Sequence, residues 1–254
     1  MYQYLLTPPE DLTEAADFGL PLVHLAFSLG ADGLLHHPGL PEACRGGLML
    51  AGCRETPEDG SPDRAVRQVL ALCRERGFRG VVLDGEGPPT PYLSRLIQGL
   101  DRGLERLGRG FFLPESYAAF SRRAFLYLSS AISGGSLEER IRAAGETYGA
   151  RRLVLALDRR AESFPLPAPE GAGEPLSREE LDQLLDRLRP QVRLSQDLCA
   201  HYFTYMDRKE GPRFVLFHRE DSLRRAREIG ASLGVTRFFL LYPQLKDLLP
   251  TLIA

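Results

Sequence analysis

The sequence predicts a single (β/α)8 TIM barrel, the α/β fold in which eight parallel strands alternate with helices. Short apolar runs alternate with helical patterns almost from end to end, which is the sequence form of a parallel sheet with crossover helices. Several helices also carry their own start and stop signals. The length, 254 residues, is ordinary for one barrel. We therefore expect residues 1–254 to form one domain.

Eight apolar runs of strand length and composition qualify as barrel strands. They are Tyr2–Leu6, Leu22–Phe27, Gly47–Ala51, Gly80–Asp84, Gly110–Leu113, Ala124–Leu128, Arg152–Leu157 and Arg237–Tyr242. Eight is the number that a closed barrel of this class requires.

The intervening helices are predicted from capping residues as well as from apolar periodicity. Predicted starts are Ser61-Pro62, Thr90-Pro91, the capping boxes Ser136/Glu139 and Ser177/Glu180, and Asp221. Gly77, Gly108 and Gly234 mark predicted ends. Because of these signals, the predicted alternation of strand and helix does not depend on hydrophobicity alone.

Two stretches interrupt the alternation. Phe164 to Pro175 alternates Pro and Gly with small residues, which predicts a mobile loop. Ala200–Met206 and Arg213–His218 are apolar runs separated by a polar turn. They predict a small antiparallel hairpin inserted outside the barrel before the last strand.

The charge balance argues against polyanionic partners. Charged residues make up 26% of the chain and the formal net charge is −2, so neither nucleic acid nor an anionic membrane is an expected partner. No window approaches the 18 apolar residues of a membrane span, and the N-terminus lacks a basic region followed by a long apolar stretch. We expect a cytoplasmic protein.

The cysteines predict neither a metal site nor a disulfide framework. Cys44, Cys53, Cys73 and Cys199 form no CxxC pair, so reduced and mostly buried thiols are expected. His36 and His37 precede Cys44 and Cys53, but the histidine pair lies before a proline in a predicted loop. No metal and no cofactor are expected.

Asp84 and Glu86 are the leading candidates for chemistry. Active sites of such barrels form at the carboxyl ends of the strands, and this pair ends the fourth predicted strand. Residues two apart in an extended segment project to the same side, roughly 6.5 to 7 Å apart. Like charges held close in a desolvated site favour protonation of one of them, as acid catalysis requires. The alternative is that Asp84 caps the strand and Glu86 is solvated.

Five further residues at predicted strand ends are candidates for substrate binding. They are Arg54, Glu115, Ser130, Asp158 and Tyr242.

The fourth strand resembles that of glycoside hydrolase family 18. Gly77-Phe-Arg-Gly-Val-Val-Leu-Asp-Gly-Glu86 is similar to the family signature, which runs from Gly-Phe-Asp-Gly to a terminal Asp-x-Glu. Weaker similarities to other family strands lie in Leu22–Phe27, Gly47–Gly52 and Arg152–Leu157. Phe214–Phe217 and the residues after it resemble the closing segment.

The resemblance implies a role for each carboxylate. Glu86 would be the general acid that protonates the glycosidic oxygen, and Asp84 would orient and stabilise the substrate's own N-acetyl group. That family uses the acetamido oxygen as nucleophile, which makes it an exception to the usual scheme of two carboxylates. The implied substrates are β-linked N-acetylhexosamine glycans.

The chain departs from the family pattern at several positions. The family's first two aspartates of the signature fall at Arg79 and Val82, so the carboxylates behind Asp84 are missing. The tyrosine motif of the sixth strand falls near Leu128–Ala131, and Tyr127 is predicted to point the other way. The last-strand tryptophan is at best Tyr242, and the chain contains no Trp.

Three functions remain open from the sequence. The first is a hydrolase with Glu86 as acid and later base. The second is a non-catalytic relative that binds a glycan or a protein through the barrel mouth, which the missing residues favour. The third is an unrelated barrel enzyme, because fold does not fix function.

Overall fold

The computed structural model of the chain describes residues 1–37, 39–167, 173–209 and 211–253. The strands are β1 Tyr2–Thr7, β2 Leu22–Leu29, β3 Leu35–His36, β4 Leu48–Gly52, β5 Gly80–Asp84, β6 Gly110–Pro114, β7 Phe125–Ser129, β8 Leu153–Leu157, β9 Ala161–Pro165, β10 Glu174–Pro175, β11 Arg193–Ser195, β12 Ala200–Asp207, β13 Gly211–Phe217 and β14 Arg237–Leu241. The α-helices are α1 Leu12–Ala16, α2 Asp63–Glu75, α3 Pro91–Arg106, α4 Leu137–Tyr148, α5 Arg178–Leu188, α6 Glu220–Ser232, α7 Tyr242–Leu245 and α8 Leu249–Leu252.

The predicted barrel is confirmed. Its strands follow the order β1-β14-β8-β7-β6-β5-β4-β2, and β1 also pairs with β2, which closes the sheet. The short β3 is antiparallel to β2 at its margin. All eight predicted strands are found, each within two residues of its predicted bounds. Near-continuous apolar runs mark strands buried on both faces, which is why they could be recognised.

The chain divides into two compact units. The first comprises Met1–Leu128, Arg151–Val154 and Thr236–Pro243, and it holds at least part of every barrel strand. The second comprises Ser129–Ala150, Leu155–Val235 and Gln244–Ala254. The boundary between the two units falls within β8, and the expectation that residues 1–254 form one domain stays a prediction.

Most of the predicted helix signals act as expected. The Thr90 side chain accepts a hydrogen bond from the Leu93 N–H at the start of α3, and Ser177 and Glu180 form a complete capping box at α5. Gly77 follows α2 with a φ of +70°, where glycine has no Cβ to clash. The start of α2 differs, because Pro62 and not Ser61 is its N-cap residue. Helix α6 begins at Glu220, one residue before its predicted start.

Five aromatic rings form a cluster between barrel strands of the first unit. Tyr4, Phe112, Phe125, Tyr127 and Phe239 come from four barrel strands and contact one another with ring centroids 5.0 to 5.9 Å apart. Such pairs add about 0.5–1.5 kcal/mol each beyond the area they bury. The barrel interior is therefore apolar where the family signature would place its second aspartate, at Val82, which is 1% exposed.

The antiparallel insertion is larger than predicted. The predicted hairpin exists as β12 and β13, but it is the centre of a five-stranded sheet ordered β10-β9-β13-β12-β11. Its core of Phe203, Val215 and Phe217 packs against leucines of α5. The sheet lies in the second unit and separates β8 from α6 along the chain.

The predicted mobile loop from Phe164 to Pro175 was wrong at both ends. Phe164 belongs to β9, pairs with Phe214 of β13, and is 6% exposed. Glu174 and Pro175 form β10 and pair with β9. Residues 168–172 lie outside the described residues. The local Pro and Gly content predicted a loop, but Phe164 is ordered by pairing with a strand that lies far away along the chain. Such non-local pairing stabilises a strand regardless of the composition of its neighbours.

Two further predictions from the sequence concern the burial of the cysteines and the absence of a membrane-spanning helix. All four cysteines are buried, as predicted, and burial raises the pKa of Cys73 to about 11. Across the described ranges, no helix has both the length and the apolar character needed to cross a bilayer.

Buried histidines predict loss of stability in acid. The His218 Nδ1 lies 3.1 Å from the Arg160 carbonyl, and burial lowers the pKa of His218 below its ordinary value. The unfolded chain then binds more protons than the folded one below about pH 6.5, so the contribution to stability is present above that pH and lost below it. We expect urea unfolding to give a lower free energy at pH 5.5 than at pH 7.5. His218→Gln should reduce this difference, and an unchanged difference would contradict the prediction.

Candidate functional site

The candidate site is built on the carboxyl end of β5. Asp84 is its last residue and pairs in register with Gly52 at the end of β4. The Cys53 N–H donates to the Asp84 carbonyl oxygen at 2.6 Å, which fixes the backbone just before the chain leaves the sheet. Asp84 is half-buried and Glu86 is exposed. The two carboxylates therefore occupy different environments despite their spacing of two residues.

Tyr127 of β7 binds the Asp84 side chain. Its hydroxyl lies 3.0 Å from Asp84 Oδ1 and 3.1 Å from the Leu83 carbonyl oxygen, so one phenolic proton faces two acceptors. Burial, followed by the negative charge of Asp84, raises the pKa of Tyr127 far above its ordinary value. Tyr127 therefore keeps its proton and acts as a donor to Asp84. The prediction that Tyr127 points away from the site was wrong.

Glu86 is paired with Arg54. The Arg54 Nη2 lies 3.1 Å from Glu86 Oε1, and the two side chains are 71% and 80% exposed. Exposed pairs of this kind contribute at most about 1 kcal/mol, because water and salt screen them. A pair this exposed is weak enough for a ligand to displace. Glu86 thus lacks the desolvated surroundings that the sequence argument assumed.

Tyr117 covers the glycine between the two carboxylates. It lies in the 3-10 helix after β6 and is 1% exposed. A Cβ on Gly85 would lie 2.6 Å from its hydroxyl oxygen, so the close approach requires glycine. Burial raises the pKa of Tyr117, and the charges of Cys53, Asp84 and Glu86 act in the same direction.

Gly85→Ala should destabilise the fold by about 1–3 kcal/mol through this overlap, since the buried Tyr117 ring cannot move away freely. Thermal unfolding would measure the change. Gly134→Ala is the matched control, because a Cβ there meets no atom within 4 Å. Tyr117→Phe should relieve part of the cost in the double variant. Equal melting temperatures of Gly85→Ala and Gly134→Ala would contradict the overlap.

Two more of the predicted binding residues lie in the first unit. Glu115 is half-buried and follows β6 directly, next to β5 in the strand order. Tyr242 is fully buried at the start of α7, with its ring 6.1 Å from that of Phe18. A ring with no exposed face cannot stack on a sugar, so the structure argues against Tyr242 as the stacking residue.

The other two, Ser130 and Asp158, lie in the second unit and contact each other. The Asp158 N–H donates to Ser130 Oγ at 3.2 Å, and the Ser129 hydroxyl donates to the Asp158 carboxylate. The Ser130 N–H donates to the Ala156 carbonyl oxygen at 2.8 Å, and Ser130 is 1% exposed. Asp158 also lies 3.6 Å from Arg160. Ser130 therefore joins the ends of β7 and β8, which argues against a binding role for its hydroxyl.

The site in the first unit combines the exposed carboxylate of Glu86 with that of Asp84, which a hydrogen bond holds in place. Glu86 is accessible for proton transfer, while Asp84 is held by Tyr127 and can accept hydrogen bonds at its remaining lone pairs. Within the described residues, no three His, Cys, Asp or Glu side chains cluster in a way that could hold a metal ion. Acid–base chemistry on an uncharged substrate is the reaction class that such a pair can perform.

Sequence reasoning missed Tyr127 and Tyr117. The sixth-strand motif was placed at Leu128–Ala131, so its tyrosine position fell at Ser130, and Tyr127, three residues earlier, was assigned to the opposite face. Phe125 and Tyr127 are two apart and both belong to the interior aromatic cluster, which gives the inward phase of β7. The alternation of Tyr127 and Ser129 with Leu126 and Leu128 was the sequence signal that could have placed the Tyr127 hydroxyl on the same face as Phe125.

No family model matches the chain, and no curated protein matches it in sequence. Solved structures do match it. The chitinase from Chromobacterium violaceum ATCC 12472 has a TM-score of 0.69 and 15% identity, over 93% of this chain and 93% of that chain. The GH18 chitinase from Cycas revoluta in complex with (GlcNAc)3 has a TM-score of 0.62 and 15% identity, over 99% and 98%.

The spore cortex-lytic enzyme SleL from Bacillus cereus has a TM-score of 0.69 and 13% identity, over 99% of this chain and 74% of that chain. The resemblance suggested by the fourth strand is thus confirmed as a likeness of fold to GH18 chitinases and SleL enzymes. Identities of this size show the fold alone, so the chemistry must be argued from the side chains.

Proposed function

We propose that the chain is a glycoside hydrolase of the family 18 type that cleaves β-linked N-acetylhexosamine glycans. The observation that carries the proposal is the strand-end Asp84-Gly85-Glu86 with the Tyr127 hydroxyl bound to Asp84. The solved neighbours support it, since they include chitinases, one of them in complex with (GlcNAc)3. Glu115 and Arg54 remain proposed contacts to the substrate.

The first step is cleavage of the glycosidic bond. Protonated Glu86 transfers its proton to the glycosidic oxygen as the bond from that oxygen to the anomeric carbon breaks. The acetamido oxygen of the same sugar bonds to the anomeric carbon, so the protein supplies no nucleophile. Asp84 accepts a hydrogen bond from the acetamido N–H and stabilises the positive charge that develops on the ring formed.

The second step is hydrolysis of that ring. The Glu86 carboxylate removes a proton from water, the water oxygen bonds to the anomeric carbon, and the acetamido oxygen leaves. Glu86 is thereby protonated again, and the configuration is retained because the anomeric carbon is inverted twice.

Tyr127 is proposed to hold Asp84 for this role. In the family signature, carboxylates earlier on the strand support the aspartate, and here those positions are Arg79 and Val82. A carboxylate at position 82 would be buried among the interior aromatic rings without a polar partner, which is costly. A tyrosine hydroxyl reaching across from β7 supplies a hydrogen bond to Asp84 without burying a charge.

Arg54 must release Glu86 before acid catalysis begins. The pair is exposed, and a bound sugar would displace water and the guanidinium together. The freed Arg54 could then donate to sugar hydroxyls, as expected for a binding residue.

The second candidate function is glycan binding without turnover, and the Arg54–Glu86 pair favours it because Arg54 occupies the carboxyl group that would have to donate the proton. Incubation with N-acetylglucosamine oligomers, followed by chromatography of the products, separates the two functions when combined with calorimetry. Shorter oligomers support the hydrolase. Binding heat without new products supports the binding module, and neither product nor heat rejects both.

A further inference from the structure

We infer that the amino-terminal end of the barrel carries a binding site for a phosphate monoester, between Arg45 and Arg79. This site lies at the start of β5, whereas Asp84 lies at its end, so the inference is independent of the proposed function. It rests on a cavity and on two guanidinium groups that have no carboxylate partner among the described residues.

The cavity has a volume of about 340 Å³. This is at the lower end of the range for small-molecule pockets, about 300–1,000 Å³. Its lining consists of Gly19, Leu20, Pro21, Leu22, Arg45, Gly47 and Arg79. Two arginines and no acidic residue contribute to this lining, so the cavity has an apolar floor and a positive rim.

Arg45 and Arg79 lack the partners that other arginines of the unit possess. Arg54, Arg95 and Arg123 each pair with a carboxylate. Within residues 1–37, 39–167, 173–209 and 211–253, no carboxylate lies within 4.0 Å of the guanidinium nitrogens of Arg45 or Arg79. Both side chains are exposed and free to turn toward a ligand.

Backbone hydrogen bonds hold Arg79 directly before β5. The Arg79 N–H donates to the Gly47 carbonyl oxygen at 2.7 Å, and the Gly110 N–H donates to the Arg79 carbonyl oxygen at 2.9 Å. Arg109 therefore precedes β6 in the same register in which Arg79 precedes β5. The Arg79 backbone is thus held between those of β4 and β6, while its side chain stays exposed at the cavity.

Gly47 allows the backbone before β4 to pass close to that of Leu22. Gly47 has a φ of +56°, and a Cβ there would lie 2.2 Å from the Leu22 carbonyl oxygen. No other residue fits this position without displacing the backbone. This close approach places the Gly47 and Leu22 backbones next to each other in the lining of the cavity.

The chemistry of the site favours a phosphate monoester over a carboxylate. A monoester carries a charge of about −1.5 to −2 at pH 7 and three acceptor oxygens, which match two guanidinium groups. A carboxylate would neutralise only one of them. The apolar floor formed by Leu20, Pro21 and Leu22 lies where the organic group of the ester would pack.

Titration of the full chain with phenyl phosphate, inorganic phosphate and phenol, monitored by amide NMR, tests the site. We expect saturable shifts of the Gly19, Leu22 and Gly47 amides with both phosphates, tighter binding of phenyl phosphate, and no binding of phenol. Arg79→Gln and Arg45→Gln should each weaken phenyl phosphate binding roughly tenfold, the value of one charge-assisted contact.

Arg106→Gln is the matched control, because Arg106 is also exposed and also lacks a carboxylate partner among the described residues. It should leave binding unchanged. Absence of saturable shifts would overturn the inference, and so would equal weakening by Arg106→Gln, which would indicate non-specific attraction. Since no step uses Asp84 or Glu86, failure here would leave the proposed hydrolase untouched.

Discussion

Replacing Glu86 by Gln is expected to lower the rate of hydrolysis of chromogenic N-acetylhexosamine oligomers by roughly 10²- to 10⁴-fold, the usual contribution of a general acid–base group. The amide has nearly the same shape as the carboxyl group but has no acidic proton to donate. Because Glu86 is exposed and its partner is the equally exposed Arg54, the substitution should not change the melting temperature. The measurement is the initial rate of chromophore release at saturating substrate.

Glu58→Gln provides the control for this measurement. Glu58 is exposed and follows β4 in the same unit, and the structure assigns its side chain no ion pair among the described residues. Its rate should equal that of the wild-type protein. If wild type and Glu86→Gln are equally inactive while both bind the oligomer, the chain is a binding module. If Glu86→Gln retains the wild-type rate, another group donates the proton.

The barrel could be predicted because its strands are marked locally. Each is a short apolar run between capping residues and glycines, and this pattern requires no knowledge of distant contacts. The five-stranded sheet was recognised only in part for the opposite reason. Strand β9 is ordered by pairing with β13, a distant segment of the chain, and β10, which follows a stretch rich in Pro and Gly, is ordered by pairing with β9.

The sequence predicted the two carboxylates of the candidate site but not the tyrosines that contact them. Asp84 and Glu86 follow from the position of β5, whose end is visible in the sequence. Tyr127 depended on which face of β7 turns inward, and Tyr117 depended on where a 3-10 helix places its ring. Tyr242 was assigned to the site because it ends the last strand. Its complete burial reflects packing against Phe18, which no local pattern reveals.

The hydroxyl of Tyr127 should matter more than its ring. Tyr127→Phe keeps the ring contact with Phe239 and removes the 3.0 Å hydrogen bond to Asp84. We expect the turnover number to fall roughly 10- to 100-fold, as a misoriented assisting group would cause, with little change in KM. Steady-state kinetics with N-acetylglucosamine oligomers separates the two constants.

Tyr4→Phe is the matched control, because Tyr4 belongs to the same aromatic cluster, contacts the same Phe239 and makes no hydrogen bond to Asp84 among the described residues. Its turnover number should equal that of the wild type. The Asp84 carboxyl carbon offers a readout that does not depend on turnover, since its ¹³C chemical shift should change in Tyr127→Phe and not in Tyr4→Phe. Equal kinetics and equal chemical shifts in the two variants would mean that Tyr127 acts only through packing. If the ¹³C shift changes only in Tyr127→Phe but the wild-type protein has no activity, the hydrogen bond from Tyr127 to Asp84 is supported and the proposed hydrolase function is rejected.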